Sequence, residues 1–123
     1  MTVQSIGDPK YISLRTFRLS GVAVDTPVWA AADSGRLYVM TAPPTGKVKR
    51  IRNDPRVEVR ACDMRGRPQG PSVTAQSRIV ADPAETAAGL ERLKRKYGLQ
   101  FRLANWRDRS RAETVILEIS DRD

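Results

Sequence analysis

The chain has 123 residues, enough for one domain with a buried core, and 22 Lys and Arg against 14 Asp and Glu leave a net charge of +8. It has no histidine and one cysteine, Cys62, which excludes Ser-His and Cys-His catalysis, histidine metal sites, thiolate clusters and a disulfide within the chain. The basic excess points to an anionic partner: nucleic acid, a membrane surface, or a phosphorylated or carboxylate-rich small molecule.

Residues 1–10 are polar, and Asp8-Pro9 reads as a turn or a short helix start. Tyr11 to Leu19 alternates, with Ile12, Leu14 and Thr16 on one side and Ser13 and Arg15 on the other, the pattern of a half-buried strand. Ser20-Gly21 turns the chain into a second strand, Val22 to Ala32, and Asp33-Ser34-Gly35 turns it again. Leu37, Val39 and Thr41 mark a third strand, which Pro43-Pro44 ends.

A short basic helix follows, from Lys47 to about Asn53, entered through Gly46. Val48 and Ile51 share one face and pack inward, which leaves Lys47, Lys49, Arg50 and Arg52 to reach outward. Asp54-Pro55 stops the helix, because proline disfavours helical geometry in the residue before it. A glycine entry, free amides at a helix N-terminus and two lysines in the first turn suit an anion; a solvated basic helix is the alternative.

The fourth strand, Arg56 to about Cys62, buries Val57, Val59 and Ala61, with Cys62 read as a buried, inert thiol. Met64 to Pro71 is a Gly- and Pro-rich hairpin loop, and Ser72 to Val80 is the fifth strand. Asp82-Pro83-Ala84-Glu85 opens the longest helix, with Asp82 as cap, Leu90, Leu93 and Tyr97 on one face and Gly98 as the stop. Leu99 to Trp106 is short and amphipathic, 108–111 is a charged loop, and Ala112 to Ser120 is the last strand, burying Val115, Leu117 and Ile119. Six strands, two helices and short turns predict a mainly β, antiparallel barrel with peripheral helices. No apolar run has signal-peptide length or approaches the ~20 residues of a membrane span, so a soluble cytoplasmic protein is expected.

The order Lys-Tyr-Ile-Ser-Leu (10–14), Thr-Pro-Val-Trp (26–29), Gly-Arg-Leu-Tyr-Val (35–39), Gly-Lys-Val-Lys-Arg-Ile-Arg-Asn-Asp-Pro-Arg-Val (46–57) and Arg-Gly-Arg-Pro-Gln-Gly-Pro (65–71) resembles the split-barrel flavin and deazaflavin reductases. These belong to the pyridoxamine-phosphate-oxidase-like superfamily, and the chain is most similar to its small actinobacterial branch of coenzyme F420-dependent enzymes. The resemblance covers about residues 10–120. It implies one six-stranded split-barrel domain over 1–123, with 1–9 as a flexible N-terminus, that forms a homodimer with a cofactor groove at each side of the subunit interface.

By the same resemblance Thr26, Pro27, Val28 and Trp29 line the ring, and Thr41 and Ala42 border the ribityl chain. Lys47 and Lys49, with Arg50 as a further candidate, hold the phosphate, and Pro71 and Trp106 close the groove from the other subunit. Gln76-Ser77-Arg78 stands where the family often has Gly-Thr-Ala.

The implied activity is an F420-dependent oxidoreductase that transfers a hydride to a small conjugated organic molecule, with no catalytic side chain and no metal. A hydride-carrying ring needs holding rather than acid–base help, which suits a basic, histidine-free chain. FMN, used by a reductase or an oxidase, and a non-catalytic cofactor carrier are the alternatives, and the missing histidine argues against a haem-binding relative. Nucleic-acid and membrane partners are not expected.

Overall fold

The computed structural model describes residues 3, 11–41, 46–99 and 115–121. Its elements are β1 (Tyr11–Phe17), β2 (Ala23–Val28), β3 (Ala30–Asp33), β4 (Arg36–Thr41), α1 (Gly46–Asn53), β5 (Arg56–Cys62), β6 (Val73–Val80), α2 (Pro83–Tyr97) and β7 (Val115–Asp121). The strands form one antiparallel sheet in the order β2-β1-β5-β6-β7-β4-β3.

The described residues form seven strands rather than the expected six, because the predicted second strand divides at Trp29. Its two parts, β2 and β3, are the two outer strands of the sheet, yet one residue separates them in sequence. The sheet therefore has to curl until its edges meet at Trp29, which makes a half-barrel of the split-barrel type. Side-chain alternation runs unbroken through the division: Val28 and Ala30 belong to the interior, Trp29 and Ala31 to the outer layer. The sequence pattern reads as one strand for that reason; what changes at Trp29 is the hydrogen-bonding partner, from β1 to β4.

Every strand contributes to the interior, with Ile12, Leu14, Val28, Ala30, Leu37, Val39, Val57, Val59, Val73, Ala75, Leu117 and Ile119 in one cluster. Ile51 of α1 joins it, so the basic helix closes part of the barrel with the Val48–Ile51 face turned inward. Val3 is also fully buried there, and its N–H donates to Asp121 Oδ1 at 2.8 Å, a contact the polar character of 1–10 did not suggest.

A second apolar layer lies outside the sheet. Leu93 and Tyr97 of α2 pack with Ala31, Tyr38, Val80 and Ile116, and Trp29, Met40 and Leu90 adjoin them. This is why β7 buries Ile116 as well as the expected Leu117 and Ile119. Gly89 gives the closest approach, since a Cβ there would stand 2.9 Å from Ile116 Cγ2. The α2 ends follow the sequence: Asp82 Oδ2 accepts from Glu85 N at 3.0 Å, and Gly98, at φ 54°, donates its N–H to Lys94 O at 2.8 Å.

The corner is tied to α2. Tyr97 stacks on Trp29 with centroids 4.4 Å apart. Its hydroxyl accepts the Ala30 N–H at 2.9 Å and donates to Ala30 O at 3.1 Å, and Lys96 Nζ also donates to that oxygen. Ala30 is fully buried, so these groups replace water on a backbone edge that no strand pairs.

Two outcomes are expected of Tyr97→Phe. At neutral pH it should cost about 1–3 kcal/mol, because a buried N–H loses its acceptor. Burial pushes the Tyr97 hydroxyl up to about 12, whereas an unfolded tyrosine ionises near 10. The raised value means that stability from this group is intact below pH 10 and lost as pH rises toward 12, by at most about 1.4 kcal/mol per pH unit. Urea denaturation of both proteins from pH 7 to 11.5 checks this: the gap between them should narrow above pH 10. A constant gap, or none, contradicts the role given to the hydroxyl.

Candidate functional site

The site is built around α1. Gly46 opens the helix, Val48 and Ile51 anchor it, and Asp54 closes it with its N–H on Arg50 O at 2.8 Å. Its eight residues hold no acid, and among the described residues no carboxylate pairs with the cations at its start.

Two cations gather there in partial burial. Arg50 Nε donates to Thr16 Oγ1 at 2.6 Å, and Thr16, on β1, is fully buried. The Arg50 guanidinium folds back over Gly46, where any Cβ would collide with it. Burial holds the Lys47 ammonium below its usual value, and the nearby Arg50 charge adds to this. Arg50 is lowered in the same way, by burial and then by Arg18.

Among the described residues none of Lys47, Arg50 and Arg18 has a carboxylate partner, whereas Arg15, Arg36, Arg56, Arg67, Arg78 and Arg92 are all ion-paired. Like charges crowded into a partly dry site are costly unless something anionic joins them. The arrangement offers a planar guanidinium, an ammonium and a helix start, which together match a phosphate.

The remaining sequence candidates divide by face and by position. Val28 belongs to the interior cluster, and half-buried Thr26, opposite Leu14, shares that side. Pro27 points the other way, opposite Ser13, with the Gly66 turn against its ring. Trp29 is stacked on Tyr97 beneath α2. Thr41 is buried at the end of β4, and Lys49 is exposed on α1. Pro71 is exposed beside Gly70, whose carbonyl accepts from Arg60 Nε at 3.1 Å. Ala42 and Trp106 lie outside the described residues.

On the outer face of β2-β1-β5, the side that Pro27 faces, Ser13, Arg15, Asp25, Glu58 and Arg60 line a cavity of about 30 Å³. Lys47 and Arg50 stand at the other end of β1. From Thr16 to the levels of Thr26 and Val28 is two to four strand residues, roughly 7–13 Å.

The sequence reading missed Thr16, Arg18 and the fold-back of Arg50. Thr16 looked like one more member of the apolar side of β1, and nothing local marks its hydroxyl as the group that aims an arginine 34 positions later. The departure at Gln76-Ser77-Arg78 has its own structural account: Arg78 bridges Glu85 and Glu118 at 3.0 and 3.1 Å, and Ser77 turns into the interior. Cys62 is a buried free thiol, raised by burial and by Asp63. Among the described residues no group of His, Cys, Asp and Glu could hold a metal, and no helix is long and apolar enough to cross a membrane.

No family model and no curated protein matches the chain. Solved structures do. The conserved hypothetical protein Rv2991 from Mycobacterium tuberculosis aligns at TM-score 0.74 and 20% identity, over 98% of this chain and 79% of that one. A protein described as F420 reductase aligns at TM-score 0.63 and 20% identity, over 98% and 93%. An FAD-binding protein from Mesorhizobium loti aligns at TM-score 0.69 and 16% identity, over 98% and 87%. At such identities the likeness shows that this chain shares their fold.

The Gly46–Arg50 contact gives a test that separates site from fold. Gly46→Ala should change stability by no more than about 1 kcal/mol, since alanine favours the helix and the colliding atoms end a flexible side chain. It should nevertheless displace Arg50 and weaken binding of inorganic pyrophosphate several-fold. Thermal melting and calorimetric titration check the two halves; unchanged affinity would show that the Arg50 position does not matter to an anion.

Proposed function

We propose that the protein binds a phosphate-bearing cofactor of the flavin type, with the phosphate at Lys47 and Arg50, and that it is an oxidoreductase using coenzyme F420. The observation that carries this reading is the Lys47–Arg50 pair: partly buried, without a carboxylate partner among the described residues, at the start of a helix that lacks acids. The residues present fit a phosphate. They supply charge and directed N–H groups, and Thr16 fixes the guanidinium. The run of roughly 7–13 Å along β1 to Thr26–Val28 suits a ligand with its phosphate and its ring at opposite ends.

When bound, the deazaflavin ring supplies the hydride, and its acceptor is a small conjugated organic molecule. The chain's own part is to hold and orient: Lys47 and Arg50 at the phosphate, Lys49 at the outer side of the same helix, and Pro27 beside the ring. No histidine exists to move a proton, in keeping with chemistry carried by the cofactor. The basic balance of +8 favours a ligand with several negative charges, which is the reason to place F420 before FMN. FMN remains the second reading, because its phosphate meets the same two cations, and a carrier without catalysis binds by the same contacts.

A homodimer belongs to the proposal. The outer face of β2-β1-β5 carries Pro27 and Ser13 and lies away from α2, which packs on β3, β4, β7 and the Val80 end of β6. A second copy seated there would enclose the ring end. Light scattering at micromolar concentration should give twice the chain mass; a monomer alone would contradict it.

Lys47→Ala should weaken F420 and FMN by about 10- to 150-fold, the equivalent of a charge-assisted hydrogen bond of roughly 1.5–3 kcal/mol. Arg52→Ala should cost far less, since Arg52 is exposed and lies more than a turn away from Gly46. Titration of both variants with both cofactors, with melting temperature as the folding control, decides it. Equal losses would indicate a diffuse basic field; no loss from Lys47→Ala would put the phosphate elsewhere.

A further inference from the structure

The turn between β1 and β2 holds two aliphatic side chains away from the protein. Leu19 is 86% exposed and Val22 57%. They are not on a loose loop: Arg18 N–H donates to Val22 O at 2.9 Å, Gly21 N–H donates to Arg18 O at 2.8 Å, and Gly21 takes φ 89°, which favours glycine. An ordered turn that presents Leu and Val to water loses hydration free energy unless something apolar covers them.

The surroundings are cationic. Arg18 sits on the turn itself and is close enough to Arg50 for their charges to repel. The Arg56 guanidinium lies over the Phe17 ring at 4.0 Å, next to the turn. Lys49 and Arg52 are exposed on α1, which packs on β1. The acid of this hairpin, Asp25, is engaged by Arg15 at 2.7 Å.

We propose that the Leu19–Val22 turn and the cations beside it dock on an anionic lipid bilayer, the two aliphatics entering the acyl boundary while Arg18, Lys49 and Arg52 meet headgroup phosphates. Charge complementarity selects this occupant. A second copy of the chain would bring like charges together at the turn. A nucleic acid would find aliphatic side chains where its bases need aromatic or planar partners. Aliphatic prongs with a cation on their own turn and more on the helix packed against β1 are what an anionic membrane surface takes. Leu19 and Val22 take no part in the cofactor reading, which shares only Lys49 with this surface, and the inference departs from the sequence expectation of no membrane partner, because residue pattern alone does not reveal that Leu19 continues past the strand into the turn.

The test is co-sedimentation with vesicles of equal parts phosphatidylglycerol and phosphatidylcholine, beside vesicles of phosphatidylcholine alone. Binding to the mixed vesicles only, weakened by salt, is expected. The double variant Leu19→Ser/Val22→Ser should bind them roughly tenfold or more weakly while keeping its melting temperature and its affinity for F420 or FMN. Leu19→Trp should gain a blue-shifted emission when mixed vesicles are added. No binding by the parent protein overturns the proposal. So does equal binding by the double variant, which would reduce the effect to headgroup charge, or a double variant that falls from dimer to monomer, which would make the turn a self-contact.

Discussion

The structure depends on how one strand serves two partners. At Trp29 the chain leaves β1 and joins β4 without reversing, and the backbone of Ala30 then faces a side with no strand. The hydroxyl of Tyr97 accepts from that edge and donates to it. A phenol suits both parts of the task, since its ring stacks on Trp29 and its polar end reaches the buried peptide. With the corner held, the sheet must curl, its two edges lie next to each other, and α2 has a fixed place on the outer face. α1 then lies where it closes the interior, with its basic side available.

At α1, stability and binding place opposite demands on the same residues. Val48 and Ile51 are ordinary core, and Gly46 leaves room for a guanidinium. Lys47 and Arg50 are set where burial, and then a neighbouring arginine charge, disfavour their own. A chain selected for stability alone would place an acid in that first turn. The six ion-paired arginines elsewhere show that carboxylates are not lacking, so the imbalance is local to the helix start.

Much of this fold is legible in the residues because local chemistry and tertiary placement agree. Strand β5 has the bounds that Pro55 and the Val57–Val59 alternation imply. Asp82 and Gly98 bound α2 as capping rules require. The Val48–Ile51 face is buried as its spacing demands. What was not legible needs the third dimension. The division at Trp29 leaves the alternation intact, so no one-dimensional pattern records it. Burial of Ile116 depends on a helix that precedes it in sequence and covers the second face of β7. The hold of Thr16 on Arg50 joins residues 34 positions apart. Of the candidate site, the cationic end was visible as a basic run, while the hold of Thr16 on Arg50 and the opposite facing of Pro27 and Val28 were not.

The sheet order has a consequence for how the chain is assembled. β7 follows every other strand in sequence and lies between β6 and β4, joining the β2-β1-β5-β6 portion to the β4-β3 hairpin. During synthesis the β1–β2, β3–β4 and β5–β6 hairpins can form from near neighbours, but the inner edges of β4 and β6 stay open until Val115–Asp121 emerges. Throughout that interval the nascent chain carries two unpaired strand edges, the kind that pair with other chains. Closing the barrel thus waits for β7, and any slowing of translation before β7 lengthens exposure to aggregation.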